Sequence, residues 1–317
     1  MAIAHSLRQT ITSSLNKSLE REYSFLTSSG SSALITALHS SNIPVGSEVI
    51  MPAICCPAVL FAIQMAGFTP VLADVSMVNF SSNLEQIKRQ ITNNTAAVVA
   101  VHGYGIACDI EAIEQYCQAH EIFLIEDACL ALGASVNGQP LGRFGDISII
   151  SFGYDKTIAE QYGGAIFTNN PKFAKRIGET LNANQFFQYL DDANKLSSLN
   201  AALAKLSEFN KERSQKVRFC HQTLTDNNVV KPKIELGQPL WRYPLLFKGD
   251  REKLIEQAAH QDIIITCHYK SLELLKTGWT LPNARQVSEQ VINLFVRPEM
   301  PMAQLEKTIS FINEFEA

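Results

Sequence analysis

The segment Ser151-Phe-Gly-Tyr-Asp-Lys156, followed by Gly163-Gly164, decides the fold that we predict for this chain. The residues leading into it, Asp146-Ile-Ser-Ile-Ile-Ser151, are apolar and β-branched, which predicts a buried strand. Gly153 permits a sharp change of direction after that strand, and Lys156 follows on the loop. Ligands of open α/β sheets gather at the carboxyl ends of strands. A lysine there binds a phosphate, reacts covalently or is simply solvated.

The composition is that of a globular protein with a large core. The chain has 317 residues, of which 46% are hydrophobic and 18% are charged. The net charge is −4 and no basic block occurs, so we expect no nucleic-acid partner. We also expect no membrane association, because no apolar run reaches spanning length.

The cysteines and the N-terminus predict a cytoplasmic location. The seven cysteines are scattered and form no Cys-x-x-Cys pair, which favours a reducing compartment and argues against a zinc site. His268 beside Cys267 has no further ligands at metal spacing, so we expect no metal. The first residues lack a basic region followed by an apolar core, so we expect no signal peptide.

Strand and helix patterns alternate through the first half of the chain. This alternation predicts mainly parallel pairing, right-handed crossovers and helices on both faces of one sheet. We therefore predict an α/β fold with three α/β/α layers around a large, mostly parallel seven-stranded sheet. The predicted strands cover 23–26, 48–51, 70–73, 96–101, 122–125, 147–152 and 164–167.

The pattern changes after Pro171. A long helix is predicted from Leu196 to Leu224, and segments 241–247, 252–260 and 263–266 then alternate again as strand, helix and strand. A last helix carries Leu305, Ile309, Ile312 and Phe315. We predict a large domain over 1–210 and a smaller C-terminal α+β domain over 211–317.

Chemically useful groups follow three of the predicted strands. The turn Ser28-Ser-Gly30-Ser31-Ser32 opens a helix, where free N–H groups and hydroxyls form an anion site, although Ser31 or Ser32 acting only as a helix cap is compatible with the same pattern. Asp127 comes directly after the predicted strand 122–125, and Lys156 comes after the predicted strand 147–152. An anion site, a carboxylate and a lysine are the three groups that pyridoxal 5′-phosphate (PLP) needs.

A dinucleotide-binding oxidoreductase is the alternative for such a sheet. That class expects Gly-x-Gly-x-x-Gly after the first strand. The sequence Ser28-Ser-Gly-Ser-Ser-Ala33 does not provide this pattern, so PLP is the cofactor that we predict.

A series of short motifs then occurs in a specific order. The motifs are 28–34 (SSGSSAL), 46–52 (GSEVIMP), 66–74 (AGFTPVLAD), 101–105 (VHGYG), 125–128 (IEDA), 151–156 (SFGYDK) with 163–164 (GG), 267–269 (CHY) and 281–284 (LPNA). Through them the chain resembles the DegT-type family of PLP-dependent aminotransferases. The resemblance implies PLP fold type I and a homodimer with its site near the interface.

The resemblance also implies roles for individual residues. Lys156 would form the Schiff base with PLP, Asp127 would face the pyridine nitrogen, and Gly30, Ser31, Ser32 and Ser151 would hold the phosphate. Cys56 stands where the family usually has an aromatic ring against the cofactor, and Leu130 stands where it has a glutamine that reaches the ring hydroxyl. We expect these two departures to weaken PLP binding, and Leu130→Gln to improve retention.

Several residues near these motifs have a structural role as the alternative to a catalytic or binding one. We expect His102 and Glu126 to be structural, and the Cys56 thiol to be a small buried apolar group rather than a reactive one. Tyr162, where the family often has Glu, faces either substrate or solvent. His268 and Tyr269 are expected to line the small-domain side of the cleft.

The family implies a reaction as well as a cofactor. We expect transfer of an amino group from an amino acid, L-glutamate in the first instance, to a nucleotide-linked keto sugar, for amino-sugar and cell-surface polysaccharide biosynthesis. Two alternatives stay open at this point. They are a PLP-dependent lyase or dehydratase on the same scaffold, and a PLP-binding protein with degenerate activity.

Overall fold

The computed structural model describes residues 2–235, 237–275 and 278–315. Its α-helices are α1 Ala2–Leu19, α2 Gly30–Ser40, α3 Pro57–Met65, α4 Leu84–Lys88, α5 Ile110–Ala119, α6 Pro171–Ala183, α7 Ala193–Ala204, α8 Leu206–Thr223, α9 Arg251–Ala259, α10 Pro282–Gln290 and α11 Met302–Glu314. Its strands are β1 Tyr23–Thr27, β2 Glu48–Pro52, β3 Thr69–Ala73, β4 Thr95–Val101, β5 Phe123–Asp127, β6 Ser135–Val136, β7 Gln139–Pro140, β8 Ile147–Ser151, β9 Gly164–Thr168, β10 Val229–Val230, β11 Arg242–Phe247 and β12 Val291–Phe295.

Seven strands form one sheet in the order β1-β9-β8-β5-β4-β2-β3. Strand β9 runs antiparallel to both of its neighbours, whereas β8, β5, β4, β2 and β3 pair in parallel. Since β1 and β8 both oppose β9, they run in the same direction. The predicted large, mostly parallel seven-stranded sheet is confirmed, with every predicted strand in it.

Both faces of this sheet are covered by helices. In β4, Val99 and Val101 pack in the cluster that contains α2, α3 and α6, whereas Val98 and Ala100 pack in the cluster that contains α1, α5 and α7. Strands that are buried on both faces need apolar residues at every position. This requirement explains the uninterrupted run Ala96–Val101 in the sequence and gives the three α/β/α layers.

The C-terminal part builds a second, three-stranded antiparallel sheet in the order β10-β11-β12. Helices α9, α10 and α11 accompany it, as the prediction of a smaller α+β unit requires. The predicted boundary at residue 210 falls inside α8, and one apolar cluster contains Val49 of the large sheet and Leu245 of the small one. The division into two domains at residue 210 stays a prediction.

Two predictions for this part are wrong. The single helix from 196 to 224 is two helices separated at Lys205: α7 buries Leu196 and Leu199, whereas α8 buries a different set that includes Arg213 and Val217. One straight helix would not cover both surfaces. The predicted strand 263–266 forms only an isolated bridge from Thr266 to Asn293. The strand that pairs with β11 on this side of the sheet is β12, Val291–Phe295. Strand β12 follows α10 directly without a Gly or Pro between them, so no turn signal marked it.

Within the described residues, no helix combines the length and the apolar character that a membrane span needs.

Candidate active site

The carboxyl ends of β1, β5 and β8 meet at one edge of the large sheet, because these strands run in the same direction. A cavity of about 160 Å³ lies at this edge. Six of the eight predicted site residues line it, namely Gly30, Ser31, Cys56, Asp127, Ser151 and Lys156. The described lining does not include Ser32 or Leu130.

The N-terminus of α2 forms one wall of this cavity. Ser29 caps the helix, since its hydroxyl accepts a hydrogen bond from the Ser32 N–H at 3.0 Å. The Ser32 hydroxyl bonds to the hydroxyls of Ser28 at 2.7 Å and Ser29 at 3.0 Å, so its side chain is engaged within the turn. The first N–H groups of a helix have no intrahelical partner, and together with the Ser31 hydroxyl they offer donors to an anion.

Gly30 keeps the cavity open beside this helix start. A β-carbon at position 30 would lie 3.0 Å from Cβ of Ser151 and 3.2 Å from Sγ of Cys129. Both distances are shorter than ordinary carbon contacts. The glycine therefore brings the Ser151 hydroxyl and the helix N-terminus together around one small space.

Asp127 is buried at the end of β5 with 5% of its surface exposed. Its Oδ1 accepts a hydrogen bond from the Cys129 N–H at 3.0 Å. Burial, together with the neighbouring Asp127 carboxylate, raises the pKa of the Cys129 thiol well above its ordinary value. Cys129 is therefore a neutral cavity residue, and its N–H orients the Asp127 carboxyl group. Sequence reasoning missed Cys129 as a residue of the cavity. Its position two residues after Asp127 is the signal in the sequence that could have identified it.

Glu126 belongs to a separate network on the other side of β5. Its Oε1 accepts from His102 Nε2 at 2.9 Å and from the Gly142 N–H at 2.7 Å, and its Oε2 accepts from the Phe144 N–H at 2.7 Å. The Cys108 N–H donates to His102 Nδ1 at 3.1 Å. A backbone N–H only donates, so His102 carries its proton on Nε2 and presents it to Glu126. Both side chains are fully buried and hold the fold.

Residues 152–163 between β8 and β9 form the lysine loop, which carries Lys156. The glycine pair Gly163-Gly164 at its end allows a very close approach of three segments. Gly163 has φ +100°, and a β-carbon on it would lie 2.4 Å from Cε2 of Tyr189. A β-carbon on Gly164 would lie 2.7 Å from the carbonyl carbon of Ser29. The Gly163 N–H donates to the Ser28 carbonyl at 3.0 Å. Glycines at these positions thus place the end of the lysine loop directly against the turn before α2.

Tyr162 packs against residues 188–190 rather than into the cavity. Its ring lies 5.0 Å from that of Tyr189 in an edge-on arrangement. Its hydroxyl donates to the Gln188 carbonyl at 3.4 Å and accepts from the Leu190 N–H at 3.3 Å. The ring is also contacted by Lys195, whose Nζ lies 5.4 Å from the ring centroid. Tyr162 therefore supports the end of the lysine loop.

Tyr269 approaches the site from the C-terminal part of the chain. Its ring stacks on Trp241 with centroids 6.0 Å apart, and its N–H donates to the Tyr104 hydroxyl at 3.1 Å. Burial raises the pKa of Tyr269, and the proximity of Cys56 and of the Asp127 carboxylate adds to the rise. Tyr269 thus lies near the cavity, whereas His268 is largely exposed.

Leu130 lies apart from the cavity, although we expected it beside the ring hydroxyl of the cofactor. Its side chain is 6% exposed and packs in the apolar cluster that also contains Tyr104 and Ile106. The chain turns between Cys129 and Leu130, so that the first faces the cavity and the second faces the core. Within the part of the chain that the structure describes, no group of three or more His, Cys, Asp or Glu side chains is arranged to hold a metal ion.

The family model of the DegT/DnrJ/EryC1/StrS aminotransferases matches residues 8–313. The chain belongs to this family. The chain is similar to the GDP-perosamine synthase of Vibrio cholerae, with 38% identity over 152 residues, which are 48% of this chain and 41% of that protein. The dTDP-4-amino-4,6-dideoxy-D-glucose transaminase of Shigella dysenteriae is 28% identical over 337 residues, which cover 98% of this chain and 90% of that protein.

The match to the Vibrio cholerae enzyme thus spans less than half of that protein's length. A solved structure of NtdA from Bacillus subtilis, with bound PMP, superposes with a TM-score of 0.87 at 22% identity, over 98% of this chain and 76% of that one. This DegT-family chain therefore shares the fold of the NtdA structure.

The residues of the cavity fit PLP. The α2 N-terminus with Ser31 and Ser151 presents donors for a phosphate, Asp127 presents a buried carboxylate, and Lys156 presents an amine. Gly30 leaves the room that a side chain there would fill. These are the groups that the three parts of the cofactor require.

Proposed function

We propose that this protein is a PLP-dependent aminotransferase that transfers an amino group from an amino acid, with L-glutamate as donor, to a nucleotide-linked keto sugar. The observation that carries the proposal is the meeting of Lys156, Asp127 and the α2 N-terminus in one cavity. The names of the relatives from Vibrio cholerae and Shigella dysenteriae, a GDP-sugar synthase and a dTDP-sugar transaminase, support the class of acceptor.

The residues of the site divide the work. PLP, when bound, supplies an aldehyde that takes up amino groups and a ring that withdraws electrons from the reacting carbon. Lys156 would hold the cofactor through its amine, and its Nζ would act as the base that moves a proton when an amino donor is bound. The free N–H groups of α2, with the hydroxyls of Ser31 and Ser151, bind the phosphate.

Asp127 would face the ring nitrogen, where a carboxylate favours the protonated ring. The hydrogen bond from the Cys129 N–H at 3.0 Å would hold the carboxyl group of Asp127 in a fixed orientation. The Cys129 thiol, whose pKa is raised by burial, stays neutral and does not compete for the charge. Asp127 would therefore be the acidic group of this pair, and it is buried with 5% of its surface exposed.

Lys156 also borders a second, larger cavity of about 470 Å³ on the other side of its loop. A substrate would therefore have room beside Lys156 in addition to the cavity of about 160 Å³. Four basic side chains line this second cavity and suit an acceptor that carries phosphate groups, although three acidic side chains also line it. The basic ones are Lys156, Lys205, Arg213 and Arg297, and the acidic ones are Asp155, Glu160 and Glu299. This feature supports a nucleotide-linked substrate over a free sugar.

We also propose that the enzyme is a cytoplasmic homodimer. Large apolar side chains are exposed close to the site, with Tyr154 at 83%, Phe186 at 91% and Leu190 at 54% of their surface. Tyr154 belongs to the lysine loop, and the Phe186 carbonyl accepts a hydrogen bond from the Ser28 hydroxyl. Exposed apolar groups of this size favour burial against another protein surface. Light scattering of the purified protein measures the oligomeric state.

The function is tested with PLP-loaded protein and L-glutamate. Transamination converts bound PLP to the amine form with release of 2-oxoglutarate, and both products are measurable by absorbance and by an enzyme-coupled assay. Lys156→Gln is the control and should give neither product. A covalent cofactor on Lys156 without any spectral change from common amino donors would favour a PLP-binding protein. Release of ammonia and pyruvate from L-serine, by elimination of the β-hydroxyl group and hydrolysis, would favour a lyase or dehydratase.

A further inference from the structure

The residue before the reactive lysine makes contacts that the chemistry of the cavity does not use. Asp155 forms an ion pair with Arg242 at the start of β11, and its carbonyl accepts a hydrogen bond from the Trp241 Nε1–H. The Asp155 side chain is 24% exposed and that of Arg242 is 5% exposed. Two bonds therefore connect the lysine loop with the start of β11, the central strand of the three-stranded sheet.

Arg242 is itself held on several sides. Its Nη1 donates to the Thr266 hydroxyl at 2.8 Å. The guanidinium carbon lies 3.7 Å from the centroid of the Phe295 ring and 4.7 Å from that of Trp241. A guanidinium between two rings and a hydroxyl presents a rigid fork, so its second nitrogen points in a defined direction toward Asp155.

Trp241 is fixed in the same way. Its N–H donates to the Tyr104 carbonyl at 2.9 Å, and its own carbonyl accepts from Arg213 Nη1 at 3.1 Å. Asp155 adopts φ +54°, a left-handed conformation that aspartate and asparagine tolerate better than most residues. The loop therefore takes an unusual backbone angle at the position where both bonds attach.

We propose that Asp155 is a positioning residue, which through Arg242 and Trp241 ties the loop of Lys156 to strand β11, so that the three-stranded sheet sets where the Lys156 amine stands. A shift of β11 relative to the large sheet then carries the lysine with it. The proposal rests on the proposed role of Lys156 as the cofactor lysine. It goes beyond that role because it makes the reactivity of Lys156 depend on residues outside the cavity.

The test follows Lys156 in the cofactor-free protein, where activity has no influence. Brief reaction with trinitrobenzenesulfonate, followed by peptide mass mapping, gives the labelling rate of Lys156 relative to the half-exposed Lys88. Each of Asp155→Asn and Arg242→Gln breaks the link that holds the lysine loop, so each should raise this ratio about tenfold. A change of this size is common when the interaction between two contacting residues is lost. The double variant should show no further rise, since each substitution breaks the same link.

Two further variants separate positioning from general stability. Arg242→Lys keeps the charge and should recover much of the protection that Arg242→Gln loses. Arg285→Gln removes the partner of Glu273 in another pair, of 2.8 Å, with a buried carboxylate, and it should leave the labelling of Lys156 unchanged. Unchanged labelling in Asp155→Asn, or an equal rise in Arg285→Gln, would overturn the proposal.

Borohydride reduction of PLP-loaded wild-type protein keeps this inference separate from the proposed function. If the pyridoxyl group is found on Lys156 while Asp155→Asn leaves the labelling rate unchanged, the positioning role fails and the function stands. If the group is found on another lysine, the function fails first, and with it the basis of the positioning role.

Discussion

Gly163 and Tyr189 approach each other so closely that a β-carbon on Gly163 would lie 2.4 Å from Cε2 of the tyrosine. Tyr189 is 3% exposed and packs edge-on against Tyr162, so its ring has little freedom to withdraw. Since the Gly163 N–H also bonds to the Ser28 carbonyl, this contact fixes the distance between the lysine loop and the turn before α2.

Gly163→Ala should therefore destabilise the protein. Inserting a methyl group into a packed site costs about 1–3 kcal/mol. Gly138→Ala is a matched control, because Gly138 also has a positive φ, +77°, but nothing lies within 4 Å of its β-carbon position. Urea unfolding of both variants measures the difference, which we expect to be in the range given for the methyl group. Equal losses in the two variants would mean that Tyr189 moves aside freely.

Gly30→Ala should weaken cofactor binding more than it affects the fold. The added methyl group would lie 3.0 Å from Cβ of Ser151, in the space between the phosphate donors. A cost of ~1.4 kcal/mol in the bound state raises the dissociation constant about tenfold. Absorbance titration with PLP measures it. Gly178→Ala serves as the control, because its β-carbon would be 3.7 Å from Phe25 in ordinary contact within α6, and PLP binding there should not change.

Asp127→Asn should retain PLP but slow the reaction with L-glutamate. The amide oxygen can still accept the Cys129 N–H, so the local fold is preserved. A neutral side chain no longer keeps a proton on the ring nitrogen, and electrostatic losses of this kind commonly cost about 10²–10³ in rate. Stopped-flow absorbance under single-turnover conditions gives the rate, with the exposed Asp109→Asn as control. A near-normal rate would remove Asp127 from this role.

Leu130→Gln should fail to improve PLP retention, in contrast to what the family pattern predicts. The side chain at position 130 is 6% exposed in the apolar cluster around Tyr104, and a buried amide without partners costs about 1–3 kcal/mol. We expect a lower midpoint of urea unfolding and an unchanged dissociation constant for PLP. Leu130→Met, which conserves volume, should be nearly neutral in both measurements. Tighter PLP binding by Leu130→Gln would show that the glutamine reaches the cavity after all.

The sequence by itself determined the large sheet and predicted that three candidate site residues lie at one of its edges. Uninterrupted apolar runs such as 96–101 identified strands that are covered on both faces. Parallel strands end at the same edge of a sheet, so Gly30, Asp127 and Lys156 had to meet once their strands were located. Neither step needed information about how loops fold.

Tertiary structure alone decided which loop side chains enter the cavity. Cys129 faces it and Leu130 does not, because one turn of the backbone after β5 sets their directions, and hydrophobic periodicity does not describe such turns. The contact of Asp155 with Arg242 likewise joins residues far apart in the chain. Hydrophobic periodicity specifies whether a segment is a helix or a strand and which of its faces is buried. The contacts of Cys129 and Asp155 depend instead on how the loops turn and on where the two sheets lie relative to each other.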